Sequence, residues 1–541
     1  MTTTNLINNV RCLPSQILTA MGIKLRSRRR SMRPAMTTTV ESLETRDLMS
    51  VSSVWLSGST LVVKAYDSPT SVEIDKSGKN VVVTDTDTHK TWSFATKKVN
   101  VVEFQGGAGN DRFDNNFVDM RVKAYGAGGN DYLEGGNAND YFDGGNGDDV
   151  IVGGGGRDVL FGGNGNDILR GGAGNDEISG ENGDDWIECG SGDDKAWGGR
   201  GDDVLLGNNG DDYLDGDDGD DHLNGGAGDD SLFGGNGADV LITIDGGNRD
   251  SARGGAGADA IWADDGDTVS VVQSVDKVHH VASFANGADR SLNGDRIADP
   301  TVLPGHTTRQ FANNPLFSTD GPSKSDVRQG HLSDCYMLAG LAAIAMDNPD
   351  AVRQHIVDFD DGTYGVRMGD SFYRVDADLA VQTSTSTTPA YASLGKQNSM
   401  WVAIYEKAWA HYRRGANTFA SIEGGWSVEI NRAFGSTSAG QRSFGSFHSA
   451  TALAEEIANR CGGREAVTLG LSSGSGAPLF LHHAYTVVSV VRDFSDRVVT
   501  ITLRNPWGID GAGNDGNDDG YVTVTPRQLF GYSGHLDFGR V

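Results

Sequence analysis

Cysteine is scarce in this chain: four residues, Cys12, Cys189, Cys335 and Cys461, in 541. So few cannot make a disulfide framework for this length, and any of them that works as a thiol must stay reduced. Long apolar runs are absent as well. Nothing approaches the ~18 consecutive apolar residues of a membrane-spanning helix, and although Arg26 to Arg30 is basic, no apolar stretch of signal-peptide length follows it. Positive charge is also short, with 45 Lys and Arg against 74 Asp and Glu and a net charge of −29. That balance argues against a nucleic-acid partner.

Glycine and aspartate are abundant, and they are ordered. From Asp131 an aspartate recurs every nine residues, at Asp140, Asp149, Asp158, Asp167, Asp176, Asp185, Asp194, Asp203, Asp212, Asp221, Asp230 and Asp239. Two residues after each stands an apolar side chain, from Leu133 and Phe142 through Ala196 to Leu241, and Gly-rich turns such as Gly162-Gly163-Asn164-Gly165-Asn166-Asp167 fill the intervals. Asp111, Asp250 and Asp259 extend the series with altered spacing. Glycines permit positive-φ turns that aim backbone carbonyls inward, and Asp adds hard anionic oxygen of the kind Ca²⁺ takes in shells of about 6–8. A disordered linker would have no reason to keep the apolar position. The expectation is a parallel β-roll, two repeats per coil, with the apolar residues inside and Ca²⁺ between stacked turns. Residues 101–270 hold 33 Asp and 5 Glu against 9 Lys and Arg, which accounts for the whole net charge, so without cations self-repulsion should oppose folding there. The repeat resembles the calcium-binding nonapeptide of RTX proteins.

Three blocks stand in order nearer the C-terminus: Gln329-Gly330-His331-Leu332-Ser333-Asp334-Cys335, His483-Ala484-Tyr485 and Leu503-Arg504-Asn505-Pro506-Trp507-Gly508. They supply a thiol, an imidazole and an amide, the groups a cysteine hydrolase uses as nucleophile, base and orienting residue. The stretch from Cys335 to Met346 is rich in helix formers, follows two cap-forming residues and stops at Asp347-Asn348-Pro349. Cys335 is therefore expected at a helix N-terminus, with its pKa lowered from about 8.5 into the range ~3.5–7.5 by the helix dipole and a neighbouring imidazole. His483 and Asn505 are placed on adjacent strands, Ala484 to Val491 and Val498 to Arg504, both dense in β-branched residues.

At these blocks the chain resembles the calpain family of papain-like thiol proteases, over roughly residues 300–541. The resemblance implies Cys335 as nucleophile, His483 as general base, Asn505 as its orienting residue, Gln329 as oxyanion donor and Trp507 as a shield over the His/Asn pair. Pro315-Leu316-Phe317, Asp326-Val327, Trp401 to Ala408 and Gly424-Gly425 with Glu429 support it. Ser333 and His482 replace the usual glycines, and Tyr336 the usual tryptophan. His482 is a competing base. Adjacent strand residues face opposite ways, so only one of the two can face Cys335, and the HAY match favours His483.

The reading is of a multidomain chain, a parallel β-roll followed by an α+β papain-like domain. Its parts are a basic, export-like segment at 1–50, a β-rich cap at 51–104, the roll at 105–267, a linker at 268–310 and the protease at 311–541. Tyr364–Met368 and Ser371–Val375 form a hairpin, Met400–Tyr412 an amphipathic helix, and Asp510 to Gly520 a solvated acidic turn. Glu41 to Ser50 resembles the LExRxLL-type motif near the start of exported or cell-wall-associated bacterial proteins. The expected activity is a calcium-binding cysteine endopeptidase acting on protein or peptide substrates, extracellular or at the cell surface in preference to the cytoplasm. Self-cleavage within 268–310 is a further expectation. The alternative from another class is a calcium-dependent adhesin or scaffold whose protease fold serves binding only.

Overall fold

A computed structural model describes residues 51–247, 249–271, 273, 275–284, 300–318, 321–329, 332, 334–383, 385–413, 418–436, 438–463, 465–474, 479–506 and 520–541. The expectations for 1–50, Cys12, Trp507, the body of the 510–520 turn and the middle of the 268–310 segment fall outside these residues. The chain divides into two compact units, whose described parts meet the boundary near Ala282 and Ser283.

In the first unit the nine-residue period becomes two parallel sheets. Consecutive repeats go to alternate sheets, so each strand pairs with the one 18 residues on: Phe142 with Leu160, Leu160 with Ile178, and in the other sheet Ile151 with Leu169 and Leu169 with Ile187. The apolar residue of every repeat from Leu133 to Leu241 faces inward and is fully buried, forming one continuous core. The irregular aspartates mark coils of 20 residues, with Leu232 over Ala252 and Leu241 over Ile261. The extra residues are accommodated outside the strands.

The β-rich stretch before the roll is continuous with it. Thr60–Ala65 pairs in parallel with Val101–Gln105, and Ser71–Ser77 with Arg112–Asn115, while antiparallel partners Val51–Ser57, Asn80–Asp85 and Lys90–Ala95 close the ends of the two sheets. Those partners cover backbone that would otherwise be an open edge. Two short strands past residue 267, Thr268–Ser270 and Lys277–His280, add the last parallel pairings, so part of the segment expected as linker belongs to the stack.

The second unit has two cores. One surrounds the helices Cys335–Asp347 and Trp401–Tyr412 with the antiparallel sheet Ile356–Asp358, Thr363–Met368 and Ser371–Asp376. The other fills a six-stranded antiparallel sheet, ordered Gly440–Ser443, Tyr532–Gly539, Ala466–Gly474, His483–Arg492, Val498–Arg504 and Tyr521–Val524, backed by the helix Ala450–Gly462. The helix Cys335–Asp347 ends where Pro349 opens the next helix, which Asn348 caps through Ala351 N–H.

The helix Trp401–Tyr412 departs from the amphipathic expectation. Trp401 through His411 are all buried, including Glu406 and Lys407. Glu406 Oε2 accepts Ala392 N–H and the Lys407 ammonium is engaged inside the fold, which helps a helix with charged residues to sit buried on every face. Lys407 Nζ pairs with the Asp376 carboxylate and donates to the Asp378 carbonyl at 3.0 Å.

Candidate active site

The strand His483–Arg492 lies across the helix Cys335–Asp347, fixed by a hydrogen bond from Thr486 Oγ1 to the Ala339 carbonyl at 2.8 Å. Cys335 and His483 thereby line one cleft of about 270 Å³, with Gly424, Trp426, Leu471 and Ser472 among its other walls. His483 Nε2–H donates to Asn505 Oδ1 at 2.6 Å, both residues being buried. In the neutral ring this leaves the lone pair on Nδ1. The rings of Phe480 and Tyr485 stand edge-on to the imidazole, at 6.5 and 5.1 Å between centroids. Tyr485, read in the sequence only as the end of the HAY block, thus also shields the imidazole.

The Asn505 corner is tied to the segment ahead of the cysteine. Gln329 N–H donates to the Pro506 carbonyl at 2.9 Å, and the Arg504 guanidinium donates to the Val327 carbonyl. Asp326 accepts from Ser323 N–H, Lys396 N–H and Trp401 Nε1. The side-chain amide of Gln329 is spent locally: Nε2 donates to the Leu332 carbonyl at 2.5 Å, and Oε1 is buried without a donor.

Electrostatics correct one expectation. The Cys335 thiol is pushed up to about 11, chiefly by burial and then by the Asp334 carboxyl, against a lowering contact from Ala484 N–H. Burial lowers His483 to about 4, opposed by its bond to Asn505. The helix N-terminus does favour an anion, but desolvation of the thiol outweighs it here, so thiol and imidazole are both neutral at rest. Nor does Asp334 cap the helix as its position suggests. It is the N-cap residue with no side-chain capping bond.

Two of the departures from the family pattern, His482 and Tyr336, are accommodated; Ser333 lies outside the described residues. His482 has a positive φ of 55°, the conformation for which glycine is usual. It is exposed where His483 is buried, and it lines the same cleft as Cys335. Tyr336 replaces tryptophan by using its hydroxyl, which accepts from Trp409 Nε1 and donates to the Ile422 carbonyl, each at 3.0 Å.

In the roll, each recurring aspartate is buried and hydrogen-bonded to the next coil. Asp149 N–H donates to Asp167 Oδ1 and Asp167 N–H to Asp185 Oδ1, both at 2.7 Å, and the ladder continues through Asp250 and Asp259. The second oxygen, Oδ2, is buried without a donor in Asp131 and in every aspartate of the series from Asp149 to Asp259. Asp140 differs, since its Oδ1 takes Val122 N–H and its Oδ2 takes Gly136 N–H. A Cβ on Gly162 would fall 2.4 Å from Asp167 Oδ2 and 2.9 Å from the Gly180 carbonyl, so these oxygens converge on space that only glycine leaves open. Orphaned carboxylate oxygen beside carbonyl oxygen is a donor set that suits a hard cation such as Ca²⁺. Among the described residues no three acidic, imidazole or thiol side chains cluster as a metal site. The remaining ligands would be backbone carbonyls.

Comparison with known proteins agrees region by region. Residues 304–517 match the calpain family cysteine protease, and residues 125–160, 161–196, 190–223 and 215–243 match four copies of the RTX calcium-binding nonapeptide repeat. Among curated proteins, the calpain-type cysteine protease DEK1 of Zea mays is 26% identical over 211 residues, covering 36% of this chain and 9% of that protein. Calpain-9 of Rattus norvegicus is 27% identical, covering 37% and 30%, and the calpain-1 catalytic subunit of Bos taurus 25% identical, covering 39% and 31%. The chain thus spans less than a third of the length of each of these relatives. It carries a calpain-family cysteine protease domain, preceded by RTX calcium-binding nonapeptide repeats.

Proposed function

We propose that the chain is a calcium-binding cysteine endopeptidase working through Cys335, His483 and Asn505. The observation that carries this is the buried His483–Asn505 hydrogen bond in the cleft that Cys335 also lines. Substrate entry brings a carbonyl to the sulfur; His483 Nδ1 accepts the thiol proton as the carbon–sulfur bond forms, then returns it to the leaving amine. Water attacks the thioester by the same route and regenerates the thiol. The backbone N–H of Cys335 holds the oxyanion, joined by Gln329 once its amide leaves the Leu332 carbonyl. Asn505 keeps the imidazole in the tautomer that has Nδ1 unprotonated.

In the roll, Ca²⁺ would be held by Oδ2 of Asp131, Asp149, Asp158, Asp167, Asp176, Asp185, Asp194, Asp203, Asp212, Asp221, Asp230 and Asp239 with turn carbonyls, Asp140 fitting least well because both its oxygens are engaged. Such an array suits surroundings where calcium is near millimolar, which favours an extracellular or cell-surface location. No helix among the described residues is long and apolar enough to cross a membrane.

The test is hydrolysis of an unstructured protein under reducing conditions, comparing the full chain with Cys335→Ala in millimolar Ca²⁺ and in chelator. Cleavage by the parent alone supports the peptidase. If both proteins fold in calcium and neither cuts, a calcium-dependent adhesin or scaffold becomes the better reading.

A further inference from the structure

Asp334 immediately precedes the nucleophile helix and does not cap it. Its side chain is fully buried, and no donor reaches Oδ1 or Oδ2 with good hydrogen-bond geometry, although the Gln329 amide is near enough to favour its anion. What lies against it is a second carboxyl, Glu406 of the helix Trp401–Tyr412, which is 2% exposed. Glu406 Oε2 accepts Ala392 N–H at 2.8 Å, and Oε1 has no donor. Burial pushes both carboxyls up; the Asp334 charge raises Glu406 further, while Glu406 acts on Asp334 as a hydrogen-bond partner that favours its anion. Two adjacent carboxylates taken out of water cannot both stay charged. One proton between them supplies the missing donor and converts orphaned acceptors into a charge-assisted hydrogen bond.

We propose that Asp334 and Glu406 share one proton, and that this pair positions Gln329 and the Cys335 end of the helix for peptide hydrolysis. The inference rests on the cysteine-peptidase reading above. Three connections support it. Ala392, held by Glu406, forms a β-bridge with Gln329. Gln329 donates through its backbone to Pro506, the residue after Asn505. The Gln329 side chain also lies beside Asp334. The pair is thus one residue from the nucleophile and one bridge from the oxyanion segment. Lys407 does not face the pair, because its ammonium is engaged by Asp376. The titratable groups that do face it are Cys335 and Tyr336 on the nucleophile helix, Glu423 beyond the turn Phe419–Ile422, and Tyr391 beside Ala392; none is a cation. Both carboxyls act through their neighbours and are positioning residues. At high pH the shared proton passes to solvent, two adjacent buried anions remain, and their repulsion displaces the segment they hold.

The experiment is the pH profile of kcat and KM for peptide hydrolysis by the full chain in Ca²⁺, for the parent, Glu406→Ala, Glu406→Gln and Asp334→Asn. Glu406→Ala is expected to lower kcat at least about 10-fold with KM within about 2-fold, an effect on the reaction more than on binding. Glu406→Gln should recover most of that loss, because its amide gives Asp334 a permanent donor. With no proton left to lose, its alkaline limb should move up by at least about one pH unit. Asp334→Asn supplies the donor from the other side and makes the same expectation if Glu406→Gln does not fold, as judged by thermal melting. Superimposable alkaline limbs in the parent and the amide variants, or parental kcat in Glu406→Ala, overturn the proposal. Should the parent cleave nothing, the peptidase reading fails first, and the pair is read from the pH dependence of Cys335 alkylation by iodoacetamide. A shift between parent and Glu406→Gln supports the shared proton, and coincident curves overturn it.

Discussion

The roll and the protease unit bury aspartates to different ends. In the roll one arrangement recurs: Oδ1 accepts an N–H from the preceding coil, and Oδ2 points at glycine-lined space with no donor. In the protease unit the buried and half-buried acids have individual surroundings: Asp326 meets Trp401, Asp376 meets Lys407 and Asp334 meets Glu406. Repetition spreads dependence on a cation over many equivalent turns. Uniqueness concentrates the function of the cleft in residues that occur once. The first kind of region fails as a whole when its common ligand is removed, the second by single substitutions.

Removing calcium should have the largest effect. For a site that forms only on folding, binding free energy is folding free energy, so a chelator is expected to abolish the roll's β-sheet circular dichroism and open 105–267 to limited proteolysis. The protease unit, with two hydrophobic cores of its own, should keep its near-ultraviolet aromatic signal. A roll that stays folded in chelator would break the comparison at its root.

Core truncation comes next. Leu205 and Leu341 are both fully buried, and replacing either by alanine is expected to cost about 2–5 kcal/mol. Leu205→Ala should lower the calcium-dependent melting transition and broaden it, since coils contact only their neighbours and the stack can melt locally. Leu341→Ala should shift the other transition as a sharp, cooperative unit. Differential scanning calorimetry in Ca²⁺ separates the two cases.

How much of this was readable from residues alone follows the same division. The roll was legible because its period repeats: Asp131 to Asp239 and Leu133 to Leu241 each restate one environment, so strand, turn and core position are over-determined. The protease motifs placed Cys335 on a helix start and His483 on a strand, as found, whereas Asn505 lies one residue beyond the end of the neighbouring strand Val498–Arg504. What stayed hidden depends on contacts between distant segments. Asp334 looks like a cap because capping is local chemistry, whereas its real neighbour is Glu406, 72 positions away. Trp401–Tyr412 looks amphipathic because the partners of Glu406 and Lys407 are invisible in its own sequence. The thiol's raised pKa is a matter of burial, which a motif does not encode.

Acid should act on the protease unit through two imidazoles, since burial lowers His411 as well as His483 to about 4, and His483 is the one in the cleft. His483 is buried and lowered to about 4, below its unfolded value near 6.5. The neutral folded ring therefore contributes stability that is fully present above pH 6.5 and is lost as pH falls through 4, about 3 kcal/mol at most at 1.36 kcal/mol per unit. Thermal melts between pH 7 and 4 should show the protease transition of the parent falling more steeply than that of His483→Gln. Equal slopes would mean that other groups govern the acid limb.

The smallest effect is the most discriminating. Asp167→Asn keeps Oδ1 as an acceptor for Asp149 N–H and replaces the orphaned Oδ2 with an amide near the Gly180 carbonyl. At the lowest calcium concentration that still folds the roll, this removes one desolvated charge from a crowded row of like charges, and the roll should gain up to about 1 kcal/mol. In saturating calcium the same substitution removes one anionic ligand from one turn, and the roll should lose a similar small amount. The sign of the change therefore reverses between the two conditions. In the protease unit Asp326→Asn should destabilise in both, because its partners Ser323, Lys396 and Trp401 are donors that calcium does not alter. Urea midpoints of the two variants, each in saturating calcium and at the lowest calcium that still folds the roll, decide whether the roll's aspartates are ligands awaiting a cation or only rungs of a hydrogen-bond ladder.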